Sequence, residues 1–279
     1  MLQSSGVDRT YKQYVPQRDD EHPRPLVIDL HGYLSGAAGQ AAISNLAAYS
    51  EHAGFVLATP QGSGPLPYWN AVPHGDLPDD VQFISDVIDD VSGRLCIDPA
   101  RIYVDGLSNG AFLSSLIACR LADKVAAVAT VAGLMFPAGC APSRPVPILA
   151  IHGTADHFVP FDGGRGDALA TLAWNNETTA AFDDLPFAPT SAALAQWAKA
   201  EGCTEPPEEQ PVRGAVTVTR YHGCAGGSAL ELYVVAGAGH TWPGSAFSQA
   251  SAAVLGPTTT DIDANELIWA FFAAHPMTR

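Results

Sequence analysis

The chain has 279 residues, 47% hydrophobic and only 15% charged, a balance that supports a large ordered core and excludes a disordered chain. Its formal net charge of −15 repels phosphate backbones and argues against nucleic-acid binding. No run approaches the roughly 18 apolar residues that a membrane span needs.

The opening MLQSSGVDRT has neither the charged start nor the apolar core of a secretory leader, so the expectation is an intracellular protein or a trimmed chain. RTYKQYVPQ (9–17) reads as an edge strand. PLVIDLHG (25–32), GFVLATP (54–60), RIYVDG (101–106), KVAAVATVAG (124–133), PVPILAIHG (145–153) and LELYVVAGAGH (230–240) read as buried strands. Several lack period-2 alternation, as strands covered on both faces should. Between them, PDDVQFISDVIDDVSGRL (78–95) sets Val81, Ile84, Ile88, Val91 and Leu95 on one helical face, behind acidic residues suited to a helix start. Residues 191–202 and 264–275 predict further helices. The alternation predicts an α/β fold with a mostly parallel sheet and helices on both faces, in one domain spanning 1–279. Residues 162–190 show no strong period and read as a loop excursion, or a flap, over the C-terminal edge of the sheet.

The segment IYVDGLSNGAFLSSLIACRL (102–121) places Gly106-Leu107-Ser108-Asn109-Gly110 where a strand becomes a helix. A G-x-S-x-G in that context is a nucleophile elbow: a strained serine exposes its hydroxyl, and flanking glycines avoid clashes with strand and helix. A nucleophilic serine needs a base and an orienting acid, in the order Ser, Asp or Glu, His. AIHGTADHFVPF supplies Asp156 after the fifth strand, and VVAGAGHTWPG supplies His240 after the sixth. All three lie at strand carboxyl ends, where open α/β sheets collect active sites. Asp162 and His157 are the competing acid and base. His31 and His152 read as loop-orienting residues. A metal cluster of His31, His152 and His240 lacks supporting spacing, so no metal or cofactor is expected.

Two backbone donors would hold an oxyanion. One is the N–H of Asn109; the other is the N–H of Tyr33, in DLHGYLSGA after the first buried strand. Trp69 and Trp242 are the candidate aromatic walls of a substrate pocket, with core residues as the alternative. None of the five cysteines forms a C-x-x-C pair. Cys203 and Cys224 flank TEPPEEQPVRG; a bridge there would close about 22 residues and contribute roughly 3 kcal/mol, and plain buried cysteines are the alternative.

These residues, with ATPQGSGPLPYWN, HGTADHFVPFDGG, the WAKAEGC and YHGC pair, and GAGHTWPG, resemble the esterases related to polyhydroxybutyrate depolymerase and feruloyl esterase, over nearly the whole chain. The resemblance implies an α/β-hydrolase fold, secretion, and cofactor-free hydrolysis of feruloyl, other aryl, or short hydroxyalkanoate esters. It supports Ser108, Asp156 and His240 as the triad. It also implies Cys203–Cys224 and Cys119–Cys140 bridges, leaving Cys96 free. The expected partner is a small or polymeric ester, with no nucleic acid or membrane; oligomeric state has no signal in the sequence. Two departures stand out. Residues 162–190 are longer than the usual connection, and no separate substrate-binding domain is apparent, which weighs against attack on crystalline polymer. A peptidase or acyltransferase would use the same triad, and a binding protein on a dead hydrolase scaffold is the alternative of another class.

Overall fold

A computed structural model of the chain describes residues 1–17, 22–73 and 75–278. A short hairpin of β1 (Leu2–Ser4) and β2 (Val7–Arg9) precedes β3 (Tyr11–Tyr14) and β4 (Arg24–Leu30). Then come α1 (Gly36–Ser44), α2 (Leu46–Ala53), β5 (Val56–Pro60), α3 (Asp80–Arg94), β6 (Ile97–Leu107) and α4 (Asn109–Arg120). β7 (Ala127–Val131) and β8 (Ile148–Gly153) lead into α5 (Asn176–Asp183) and α6 (Thr190–Ala200). The chain finishes with β9 (Glu208–Arg213), β10 (Val216–Tyr221), β11 (Leu230–Val235), α7 (Ala246–Ala250), α8 (Ala252–Leu255) and α9 (Ala264–Ala274).

Strands β3 and β5 to β11 join β4 in a nine-stranded sheet of order β3-β5-β4-β6-β7-β8-β11-β10-β9. The six strands from β5 to β11 in that order are parallel, and they are the six buried strands expected from the sequence. β3 pairs antiparallel at one edge, as RTYKQYVPQ predicts. Side chains alternate across each strand, so neighbouring residues feed opposite cores. Leu26, Ile28 and Leu30 pack with Phe83, Ile84 and Ile88 of α3 and Leu113 and Leu116 of α4. Val27, Tyr103 and Ile151 pack on the other face with Ile43, Ile268 and Phe272. Each such side chain contributes roughly 1.5–3 kcal/mol when fully buried. Asp79 caps α3, its carboxylate accepting the Gln82 N–H at 2.9 Å.

The other edge holds an antiparallel pair, β9 and β10, that the sequence reading does not anticipate. The turn between them uses Gly214 at φ +53°, and Val216 and Val218 turn inward while β9 stays exposed. The excursion 162–190 is folded. It carries a 3-10 turn at Asp167–Thr171, then α5, where Asn175 and Thr178 exchange capping hydrogen bonds of 2.8 and 2.9 Å. Phe182, Leu185 and Phe187 bury its underside. Cys119 pairs with Cys140 and Cys203 with Cys224, and Cys96 is free and exposed. Among the described residues no helix is long and apolar enough to cross a membrane.

Candidate active site

Ser108 is the single residue between β6 and α4, at φ +57° and ψ −117°. A non-glycine residue there stores strain, which the packing around it must hold. The two flanking glycines explain how. A Cβ on Gly106 would lie 2.5 Å from the Gly110 carbonyl group, and one on Gly110 would lie 2.3 Å from the Leu30 carbonyl oxygen. Strand and helix therefore meet at a distance that only glycine allows. Ser108 N–H donates to Val131 O at 2.9 Å, and Ser108 O accepts from Phe112 N–H at 3.0 Å, so the elbow is tied into both β7 and α4.

Asp156 follows β8 and His240 follows β11, two neighbouring strands. Their side chains meet: His240 Nδ1 lies 2.7 Å from Asp156 Oδ2. A carboxylate only accepts, so Nδ1 carries the proton and Nε2 is left to act as a base. The other oxygen, Oδ1, accepts backbone N–H groups of Phe158 and Val159 at 2.8 and 2.9 Å. His152 adds a third element, its Nε2 lying 3.3 Å from Asp156 Oδ2 and 2.8 Å from Val159 O. Burial opposes the Asp156 charge, but the His240 imidazole and the hydrogen bonds from His152 and His240 outweigh it and hold the carboxyl well below the usual carboxylate range. The His240 main chain is held by its backbone N–H donating to Leu255 O at 2.7 Å, and its ring lies against Phe158. The competitors Asp162 and His157 are exposed and lie outside this cluster.

Ser108 and His240 line one cavity of about 380 Å³, with no direct hydrogen bond between them. Tyr33 lines it too, and Gly32 abuts the elbow: a Cβ there would sit 3.4 Å from Ser108 Cβ. Asn109 opens α4, so its N–H belongs to the first turn, whose donors the helix leaves unpaired. Apart from Ser35, the rest of the wall is apolar. It comes from Ile43, Leu107, Phe158 and Val159, from Leu169, Leu172, Phe182 and Phe187 of the excursion, and from Phe247, Val254 and Leu255.

The two tryptophans expected in the pocket wall are a correction. Trp69 is 0% and Trp242 1% exposed, and neither lines the cavity. Trp69 packs under the loop at His31, and Trp242 donates from Nε1 to Asn265 Oδ1 within the opposite core. The aromatic wall is supplied instead by Tyr33, Phe158, Phe182, Phe187 and Phe247. The sequence signal for it was weak: Leu169, Leu172, Phe182 and Phe187 are scattered through a stretch with no helical or strand period. Among the described residues no cluster of three or more His, Cys, Asp or Glu side chains is arranged to hold a metal ion.

No protein-family model matches the chain. Among curated proteins it is 33% identical over 265 residues to the protein named "Putative esterase NocK" of Nocardia uniformis subsp. tsuyamanensis, covering 90% of this chain and 75% of that protein. It is 32% identical over 224 residues to feruloyl esterase B of Piromyces equi, covering 77% of this chain and 39% of that much longer protein. Poly(3-hydroxyalkanoate) depolymerase C of Paucimonas lemoignei is 26% identical over 235 residues, covering 78% of this chain and 55% of the depolymerase. Among solved structures, acetyl xylan esterase from Aspergillus awamori superposes with a TM-score of 0.59 at 16% identity, over 88% of this chain and 93% of that one.

Proposed function

Because the chain belongs to the α/β-hydrolase esterases related to feruloyl esterase and polyhydroxyalkanoate depolymerase, we propose that it hydrolyses carboxylic esters with Ser108 as nucleophile, His240 as general base and acid, and Asp156 as the orienting carboxylate. The observation that carries this reading is the Asp156–His240 hydrogen bond, which leaves Nε2 as the basic nitrogen on the cavity that also holds Ser108.

His240 Nε2 takes the hydroxyl proton as Ser108 Oγ bonds to the ester carbonyl carbon. The carbonyl oxygen becomes an anion, and the backbone N–H groups of Tyr33 and Asn109 stabilise it. Collapse of the tetrahedral intermediate breaks the bond to the alcohol oxygen, which leaves with the proton held by His240. Water then repeats the sequence on the acyl-enzyme and returns Ser108 free. Asp156 stays ionised throughout and stabilises the imidazolium.

Among the described residues the cavity wall carries no Asp, Glu, Lys or Arg side chain, so it suits a neutral, apolar or aromatic acyl group. Feruloyl and short hydroxyalkanoate esters both meet that description. Two disulfides fit an oxidising, extracellular compartment. Residues 1–279 then act as one catalytic unit.

The test compares kcat/KM on methyl ferulate and on a 3-hydroxybutyrate dimer ester, with Ser108→Ala as the blank and a fluorophosphonate probe read by mass. Hydrolysis abolished by Ser108→Ala, with the adduct on Ser108, is expected. Hydrolysis that survives Ser108→Ala would overturn the triad.

A further inference from the structure

Among the described residues, Ser35 is the one polar side chain of the cavity wall that the reaction above leaves without a task. Ser108 and His240 carry the chemistry, and the Tyr33 hydroxyl donates to the Ala173 carbonyl. Ser35 Oγ has no hydrogen-bond partner among the described residues. That is unusual for its position. Ser35 is the N-cap of α1, where a serine hydroxyl ordinarily accepts an N–H of the first turn. Here Gln61, just past β5, takes that role: its Oε1 accepts the Ala37 N–H at 2.9 Å.

Two glycines allow the exchange. A Cβ on Gly36 would lie 3.0 Å from Gln61 Oε1, and one on Gly39 would lie 2.3 Å from Ser35 Oγ. The hydroxyl therefore fills space that any other residue at position 39 would occupy, and Gly39 lines the cavity with it. Glycine inside a helix is unfavourable relative to alanine, so this close approach comes at a cost in helix stability. The backbone fixes where the hydroxyl sits. Leu34 is held at φ +66°, its N–H donating to Pro67 O at 2.8 Å, and Ser35 N–H donates back to Gly32 O at 3.1 Å. This turn folds Ser35 beside Gly32, the residue that abuts Ser108.

We propose that Ser35 is a specificity-determining residue: its hydroxyl pairs with an oxygen on the third carbon of the acyl chain, so the site takes 3-hydroxyacyl esters in preference to esters of the same length that lack that oxygen. This inference rests on the reading of the cavity as the acyl site of an ester hydrolase with Ser108 as nucleophile.

A serine hydroxyl both donates and accepts, so it suits a free 3-hydroxyl or an acylated one. On an open cavity it bonds water until the substrate oxygen replaces that water, an exchange of nearly equal hydrogen bonds. A 3-hydroxyl entering the same wall without Ser35 would lose its water and gain no partner. The ring hydroxyl of a feruloyl group sits at the far end of its acyl arm, beyond the reach of a residue beside Gly32. The excursion side chains that wall the cavity, Leu169, Leu172, Phe182 and Phe187, offer it no polar atom. Ser35 also meets the acyl chain from one side, so only one configuration at the third carbon turns its oxygen toward the hydroxyl while the carbonyl stays at Ser108.

The experiment measures kcat/KM for both enantiomers of ethyl 3-hydroxybutanoate and for ethyl butanoate, which share chain length and alcohol. Parent, Ser35→Ala and Gly39→Ala are compared, each with its thermal midpoint. The parent is expected to prefer one hydroxy enantiomer to butanoate. Ser35→Ala should lower that ratio roughly tenfold and shrink the ratio between enantiomers with it. Gly39→Ala keeps Ser35 but fills the volume of its hydroxyl, so both ratios should fall in the same direction. A merely structural loss would lower all three esters together and leave the ratios at their parental values. Parental ratios in a folded Ser35→Ala would overturn the proposal, as would a parent that prefers neither hydroxy enantiomer to butanoate or hydrolyses none of the three. Should Ser35→Ala fail to fold, the parental ratios and Gly39→Ala decide by the same criteria. Ser108→Ala is measured alongside. Activity surviving there removes the triad reading itself, whereas a dead Ser108→Ala beside unchanged ratios in Ser35→Ala removes only this inference.

Discussion

The Asn109 side chain and the Trp69 main chain exchange two hydrogen bonds: Trp69 N–H donates to Asn109 Oδ1 at 2.7 Å, and Asn109 Nδ2 donates to Trp69 O at 3.1 Å. Both residues are buried. The residue after the candidate nucleophile thereby fixes the loop that supports His31. Asn109→Ala removes both bonds and strands a buried N–H and a buried carbonyl, each costing about 1–3 kcal/mol. The expected outcome is a fall of roughly 2 kcal/mol or more in urea unfolding, with kcat reduced even where the protein is fully folded. An unchanged urea midpoint would mean that the loop is held without this pair.

Asp156→Asn tests the acid. The amide keeps the shape but loses the charge that stabilises the His240 imidazolium, so kcat should fall on the order of 10³- to 10⁴-fold. Stability should respond with a definite sign. The folded Asp156 carboxyl sits below its unfolded value of about 3.9, so its contribution is present above about pH 4 and is lost as pH falls below it. Asp156→Asn should therefore be less stable than the parent at pH 7, with the gap closing toward pH 2–3. Unfolding midpoints across that range check it.

What was legible in the sequence follows from how strongly local chemistry determines position. Six buried strands are apolar runs that a covered sheet requires, and Ser108, Asp156 and His240 sit in turns just past three of them, so topology alone brings these turns to one edge. Trp69 and Trp242 were not placeable, because an aromatic beside a site motif looks the same whether it walls the cavity or supports the loop behind it. The excursion hid for a different reason. Its buried residues pack on Tyr33 and the cavity rather than along a periodic face, although Asn175 and Thr178 at capping spacing did mark the start of α5. In β10 the alternating Val216, Thr217, Val218, Thr219 was a readable strand signal, masked by the acidic, proline-bearing β9 before it.

The excursion is attached to the proposed oxyanion loop through rings. Tyr33 stacks on Trp174 with centroids 4.8 Å apart and meets Phe182 at 5.0 Å, and its hydroxyl donates to the Ala173 carbonyl. Trp174 also meets Phe182 edge-on at 5.1 Å, yet lies outside the cavity wall that Phe182 lines. Aromatic contacts of this kind contribute about 0.5–1.5 kcal/mol. Trp174→Ala should loosen the cover and raise KM for a bulky acyl ester by about 2- to 12-fold, with little change for an acetyl ester that does not reach Phe182 and Phe187. Faster proteolytic cleavage within 162–190 should accompany it. Equal KM changes on both esters would show that the excursion does not sort substrates by acyl size.

Two carboxyl groups lie buried side by side beneath the site. Asp29 of β4 is in register with Asp105 of β6, two residues before His31 and three before Ser108. Asp29 accepts from Gln40 Nε2 at 2.6 Å and Ser44 Oγ at 2.7 Å, tying α1 to the sheet. Asp105 has no such donors. Burial raises both carboxyls. The Asp29 charge and the hydrogen bond to Asp29 push Asp105 up further, whereas the donors around Asp29 hold it back. Asp105 is therefore the member of the pair that favours the protonated form. A carboxyl raised in the folded state stabilises fully below its unfolded value of about 3.9, and that contribution is lost as pH rises toward the folded value. Asp105→Asn replaces the titrating proton with a permanent N–H donor of nearly the same shape. The variant should match the parent near pH 4–5 and exceed it by about 1 kcal/mol or more at pH 8, where the parent must either hold two buried charges or keep an unfavourable proton. Urea unfolding at both pH values, with kcat measured beside it, decides the matter. A parent whose stability does not fall between pH 5 and 8, or a variant that loses stability equally at both, would show that the pair shares no proton.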